Sequence, residues 1–181
     1  MSPSIVIMST PDVILWYAVR VTYCREMSFK VYLDTINVEN FIPMHYIIVN
    51  KNEKKLEPVI HNLIFVRTTK TILGEIKLKV ENKTPIRYIM DKSTNLPITI
   101  PEKQMESFIN ISKHYGEQIV YVDTSTLKKG DKVRITGGSF AGIEGEFSRI
   151  KGDRRVVVNL NGIMAVATAF IHPSLIEILN K

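Results

Sequence analysis

The chain has 181 residues, of which 45% are apolar and 23% charged, proportions that suit one or two small domains with real cores. No apolar run approaches the roughly 20 residues needed to cross a bilayer, and the single cysteine, Cys24, excludes an internal disulfide and fits a reducing cytoplasm. The net charge of +6 is unevenly spread: residues 128–181 hold nine Lys or Arg against five Asp or Glu, and residues 1–127 hold fifteen against thirteen. A basic excess concentrated in the smaller part points to a polyanionic neighbour, with a solubilising excess as the equal alternative.

The opening MSPSIVIMSTPD lacks a basic region followed by a long apolar segment, so residues 1–13 read as a tail and not as a signal peptide. ILWYAVRVTY (14–23) is rich in aromatic and β-branched residues and reads as a strand. CREMSFKVYLDTIN (24–37) places Phe29, Leu33 and Ile36 at helical spacing, with Met27 and Val31 widening the stripe. VENFIPMHYIIVN (38–50) returns to strand character, and Pro43 marks an edge or a bend. KNEKKLEP (51–58) reads as a polar hairpin tip, and VIHNLIFVRT (59–68) as the most apolar strand.

A helix fits 69–80, with Thr68 or Thr69 as its N-cap. IRYIMD (86–91) and LPITI (96–100) form a strand pair around the turn-rich KSTN. Pro101 then opens a helix carried by EKQMESFINISKH. The order β-α-β-β-α-β-β-α predicts an α+β domain over 14–115, with helices packed on one antiparallel sheet in a ferredoxin-like manner. GEQIVYVDTSTLK has no helical stripe, and 116–127 reads as a linker.

Residues 128–181 form the second predicted domain. Val133 and Ile135 share one face of a strand, and Ile143 and Phe147 continue it. KGDR (151–154) supplies turn chemistry, RVVVNL and IMAVATAF flank an Asn161–Gly162 hairpin turn, and SLIEIL follows the His172–Pro173 break. Five short strands in about fifty residues predict a small SH3-like β-barrel. Five of the nine glycines fall within GDKVRITGGSFAGIEGEF (130–147). A phosphate loop would need Lys and Ser or Thr after its last glycine. Here Ile143 and Glu144 follow Gly142, and a carboxylate there would repel phosphate. A dinucleotide fingerprint fails as well, because a strand follows and not a helix. The glycines are therefore assigned to tight turns and close backbone approach.

KKGDKVRITGGSFAGIEGEFSRIKGDRRVVV resembles the KOW motif at Gly130, Asp131, Val133, Ile135, Gly138, Phe140, Gly142 and Gly145. WYAVRV (16–21) is similar to the first strand of the NusG N-terminal domain, LEPVIHNLIFVR (56–67) to its central strand, and PEKQMESF (101–108) to the start of its last helix. The resemblance to the NusG family runs in order over residues 14–178, and VENFIPM with GDRRVVV resembles the UpxY-type specialised paralogues.

The resemblance implies a monomeric, non-catalytic elongation and antitermination factor acting at surface-polysaccharide operons. Its N-terminal domain would bind the clamp helices of RNA polymerase through an apolar patch. The matching positions are Arg20, Ile60, Leu63 and Phe65, although His61 stands where the family often has proline and Leu63 where it often has an aromatic. Phe65 as a core residue is the competing reading. The barrel loops would carry a protein partner, unidentified from the sequence, at Phe140 and Gly162. The second loop lacks the family's aromatic and arginine, which argues against the terminator Rho and the ribosome. Lys151, Arg154 and Arg155 are candidate nucleic-acid contacts, with a solvated hairpin tip as the alternative.

No enzyme, cofactor or metal is expected. The histidines at 45, 61, 114 and 172 stand singly, without metal-ligand spacing to one another or to Cys24, and no nucleophile elbow appears. A ribosome-associated or RNA-binding KOW protein is the alternative function.

Overall fold

A computed structural model of the chain describes residues 12–114, 119–126 and 130–179. Most of the tail read at 1–13, and parts of the linker read at 116–127, lie outside the described residues. The fold is α+β, as expected.

The N-terminal half holds β1 (Leu15–Val21), α1 (Glu26–Thr35), β2 (Glu39–Phe41), β3 (Met44–Asn50), β4 (Glu53–Pro58), β5 (Leu63–Thr68), α2 (Lys70–Val80), β6 (Ile86–Tyr88), β7 (Thr99–Ile100) and α3 (Glu102–Ser112). The strand expected over 38–50 is broken at Ile42–Pro43, as the proline requires. The expected hairpin tip at 51–58 is mostly strand: Lys51 and Asn52 turn, and β4 pairs back along β3. Thr69 is the cap of α2, its hydroxyl accepting from the Ile72 N–H at 3.2 Å.

The main sheet has the order β2-β5-β1-β6, with β7 also on β1. All of these pairs are antiparallel, and β1 lies opposite β5 with Ala18 facing Phe65 and Arg20 facing Leu63. Alternation sends Tyr17, Val19, Val21, Ile64 and Val66 to one face, where α1 and α2 cover them with Phe29, Leu33, Leu73 and Ile76. Trp16, Ala18, Leu63 and Phe65 point to the other face, under Met105, Phe108 and Ile111 of α3. Both faces are covered, so Trp16 and Tyr17, on opposite faces, are both buried.

The C-terminal half holds β8 (Val120–Val122), β9 (Asp131–Ile135), β10 (Glu144–Ile150), β11 (Asp153–Leu160), β12 (Met164–Ala167) and β13 (Ile176–Ile178). They form one antiparallel, barrel-like sheet in the order β13-β9-β10-β11-β12-β8. This sheet begins inside the segment read as a linker, because β8 pairs with β12 through Val120, Tyr121 and Val122. Asn161 and Gly162 both have positive φ, 46° and 76°, as the expected turn demands. Ile163 is a third loop residue before Met164, so the hairpin is one residue longer than its Asn-Gly signal implies.

Gly142, at φ 85°, turns the chain between β9 and β10, and its N–H donates to Ile135 O at 2.7 Å. Gly145 serves close approach, since a Cβ there would lie 2.5 Å from Val157 O. The glycines are structural, as their sequence context indicates.

Candidate functional site: the β1–β5 face and the barrel that covers it

The β1–β5 face is apolar because each strand alternates and each odd or even set must be buried. Leu63 and Phe65 are 3% and 0% exposed, so the expectation that they form an uncovered patch is corrected. Phe65 lies against Phe108 of α3, with ring centroids 6.3 Å apart. Phe108 also meets Phe41 of β2 edge-on at 6.3 Å and Tyr121 of β8 at 6.4 Å. One ring therefore touches the sheet, its edge strand and the barrel.

The outer side of α3 packs on β10, β11 and β12. Val156, Val158, Leu160 and Met164 thus join the same core as Leu63 and Phe65. Polar contacts rim this apolar junction. Lys103 Nζ lies 3.1 Å from Glu144 Oε1, and Asn161 Nδ2 donates to Thr99 O at 2.7 Å. The Gln104 amide donates to Asn159 O, and the Tyr121 hydroxyl donates to Met44 O at 3.3 Å.

Arg134 of β9 holds the same Glu144 oxygen at 2.7 Å. Its guanidinium first, and the Lys103 ammonium second, keep the Glu144 carboxyl below its ordinary value of 4.5.

Arg20 and Ile60 remain accessible at the edge of this region. Arg20 is exposed at the end of β1, and Ile60 is 39% exposed in the β4–β5 loop. His61, in that same loop, has its own structural role. Its Nδ1 is 3.2 Å from Oε1 of Glu26, a buried carboxylate in the first turn of α1. The Asn62 side chain accepts from the Cys24 N–H at 2.7 Å, so the loop is fastened to the start of α1.

In the barrel, Phe140 is buried, with its ring centroid 4.7 Å from that of His114. It faces the N-terminal half and is not presented as an open loop residue, a second correction. Gly162 sits in the loop whose Asn161 reaches Thr99. Gly130 and Gly145 lie against neighbouring backbone, at Phe147 O and Val157 O, and Gly138 occupies a positive-φ turn.

Arg155 is 5% exposed and directed inward, donating to Thr168 O at 2.8 Å and to Asp153 at 3.0 Å. It is thereby removed from the expected nucleic-acid trio, whose other members, Lys151 and Arg154, are exposed. Adjacent residues leave β11 on opposite faces, Arg154 on that of Val156 and Arg155 on that of Val157, and both valines are buried.

Phe108, Phe41 and Tyr121 escaped the sequence reading. The helical stripe of α3 flagged Phe108 as apolar, but only long-range packing identifies what it joins. Among the described residues no cluster of His, Cys, Asp or Glu suits a metal ion. None of the described helices is long and apolar enough to cross a membrane.

A family model described as "Transcription termination factor nusG" matches residues 15–109, just over half of the chain. No curated protein matches it. A solved structure titled "Domain interaction in Thermotoga maritima NusG" is similar at 18% identity and a TM-score of 0.45, over 93% of this chain and 98% of that one.

Proposed function

The chain belongs to the NusG family of transcription factors, and we propose that it binds RNA polymerase as a non-catalytic elongation and antitermination factor. The polymerase-facing surface is the accessible edge of the β1–β5 face, at Arg20 and Ile60, while Leu63 and Phe65 stay packed beneath α3. The supporting observation is the junction itself: an apolar sheet face and the α3 helix above it are shared with a barrel that carries its own sheet.

Apolar residues of this size each contribute about 1.5–3 kcal/mol when buried. The barrel and polymerase would compete for the outer side of α3 that borders this face, so binding requires the barrel to swing away from α3. The rim contacts set how readily it does so. Restriction to surface-polysaccharide operons, the UpxY-type specialisation, is part of the proposal and rests on the sequence resemblance alone.

Leu63→Asp and Phe65→Asp would unfold the sheet and test nothing, since both side chains are buried. The informative variant is Arg20→Glu, at an exposed position. RNA polymerase should co-purify with the wild-type chain and markedly less with Arg20→Glu. In a Cys24→Ser background, bridging Lys103→Cys to Glu144→Cys with a short bismaleimide should block co-purification, while the unbridged protein retains it. Recovery of ribosomal RNA in place of polymerase subunits would favour the ribosome-associated alternative.

A further inference from the structure

The helices α1 and α2 close over most of one face of the main sheet, but a groove of about 520 Å³ stays between the end of α1, β2 and α2. Tyr32, Val38 and Ile76 line it and pack into the core of that face. Ile14, Ile36 and Ile72 line it as well, and all three are exposed. They come from three separate segments, so the opening is built by the fold and not by one helix. Its charged members answer one another. Glu39 lies 3.3 Å from Arg67, and Glu75 and Lys79 stand four residues apart on α2, where opposite charges are neighbours. Three exposed isoleucines around one opening favour an uncharged, apolar occupant.

The chain that leads into β1 passes beside this groove. Ile14 is one of its walls, and Asp12 sits at the N-terminus of α2. Hydrogen bonds from the Thr69 and Thr71 side chains, and then from the Thr71 and Lys70 N–H groups, hold the Asp12 carboxyl below its ordinary value of 3.8. Thr69 lines the groove too. Before Asp12 the sequence reads MSPSIVIMSTP, without a charged side chain and with Ile5, Val6, Ile7 and Met8 in one apolar run. Only Ser9, Thr10 and Pro11 separate that run from Asp12. Seven extended residues, from Ile5 to Asp12, reach about 23–25 Å. The stretch of α2 from Thr69 to Lys79 rises about 15 Å, so the run can reach any part of the groove.

We propose that residues 5–8 dock in this groove of their own chain and cover Ile14, Ile36 and Ile72. A tether this short gives an effective concentration in the millimolar range, which places the chain's own segment ahead of a second copy. An uncharged segment also lies beside the Glu39–Arg67 pair without burying a new charge. The groove belongs to the α1–α2 core and not to the core under α3. Docking there is independent of the barrel and of polymerase binding.

The test is a cross-linking comparison in the full chain. In a Cys24→Ser background, Ile7→Cys is combined either with Glu75→Cys, in the groove, or with Lys54→Cys on β4, outside it. Under mild oxidation the groove pair should close an intramolecular disulfide at least about tenfold faster than the other pair. Ile72→Gln should remove most of that advantage. Urea midpoints give a second reading. Ile5→Ser/Ile7→Ser and Ile72→Gln should each lower the midpoint, and the combined variant should lie no lower than the weaker of the two, since both remove the same contact.

Ile72, Glu75 and Lys54 are exposed, so these substitutions should leave the fold intact. Equal cross-linking of the two pairs would overturn the docking. So would a midpoint that Ile5→Ser/Ile7→Ser leaves unchanged, or two losses that simply add. Disulfides that form only between chains would give the groove to a second copy and overturn it as well.

Discussion

Phe65 and Phe108 meet with their rings tilted at 59° and their centroids 6.3 Å apart, and through this pair the central strand of one half reaches the barrel of the other. Phe108 is fully buried. Phe108→Ala should therefore cost about 3–5 kcal/mol, the range for deleting a buried aromatic from a core. Its effect should reach beyond α3. Urea denaturation should show a lower midpoint, and proteolysis should cut between the two halves faster than in the wild type.

The rim of the junction makes its stability depend on pH. Hydrogen bonds from Arg134, and then from Lys103, lower the folded-state pKa of Glu144 below its ordinary 4.5. A depressed carboxylate stabilises the folded form above the ordinary value and loses that contribution as pH falls through the lower folded value. Glu144→Gln should lower Tm near neutral pH, and the gap to wild type should close as pH is lowered from about 7 to about 3. A gap that stayed constant would mean that the carboxylate charge contributes nothing.

Thr69 caps α2 through its hydroxyl, satisfying the Ile72 N–H. Thr69→Ala should cost about 1 kcal/mol, which for a chain of this size lowers Tm by about 2–4 °C. Thr69→Ser should keep most of the wild-type stability, since it retains the accepting oxygen. Thermal denaturation followed by circular dichroism distinguishes the two.

Two glycines should respond in opposite directions to alanine. At Gly145 the added Cβ would meet Val157 O at 2.5 Å and Val156 Cγ1 at 2.8 Å, so β10 and β11 must separate and Gly145→Ala should destabilise the barrel. At Gly74, inside α2, nothing lies within 4 Å of the added atom. Gly74→Ala should stabilise by about 0.5–1 kcal/mol, because alanine loses less backbone entropy in a helix. Denaturant midpoints measured side by side would check both signs.

Much of the architecture was written in local pattern. The alternation of ILWYAVRVTY and LIFVRT marked β1 and β5, the apolar stripe marked α1, and Thr69 and Pro101 marked where α2 and α3 begin. Of these, the β1 and β5 segments and Pro101 also carried the resemblance to the family that the chain belongs to. These features are legible because side-chain period, capping and turn chemistry act within a few residues of one another.

What covers each face was decided only in three dimensions. Alternation tells that Leu63 and Ile64 lie on opposite faces, but not that α3 and a second sheet close over Leu63 and Phe65. The partnering of Phe140 with His114, the inward turn of Arg155 onto Thr168, and the opposition of Arg149 and Arg154 join positions that local pattern does not link. Burial depends on the packing of distant segments, and strand register sets which charges confront each other. Sequence period fixes the direction of a side chain relative to its own strand; only the assembled layers determine whether that direction leads to water or to a core.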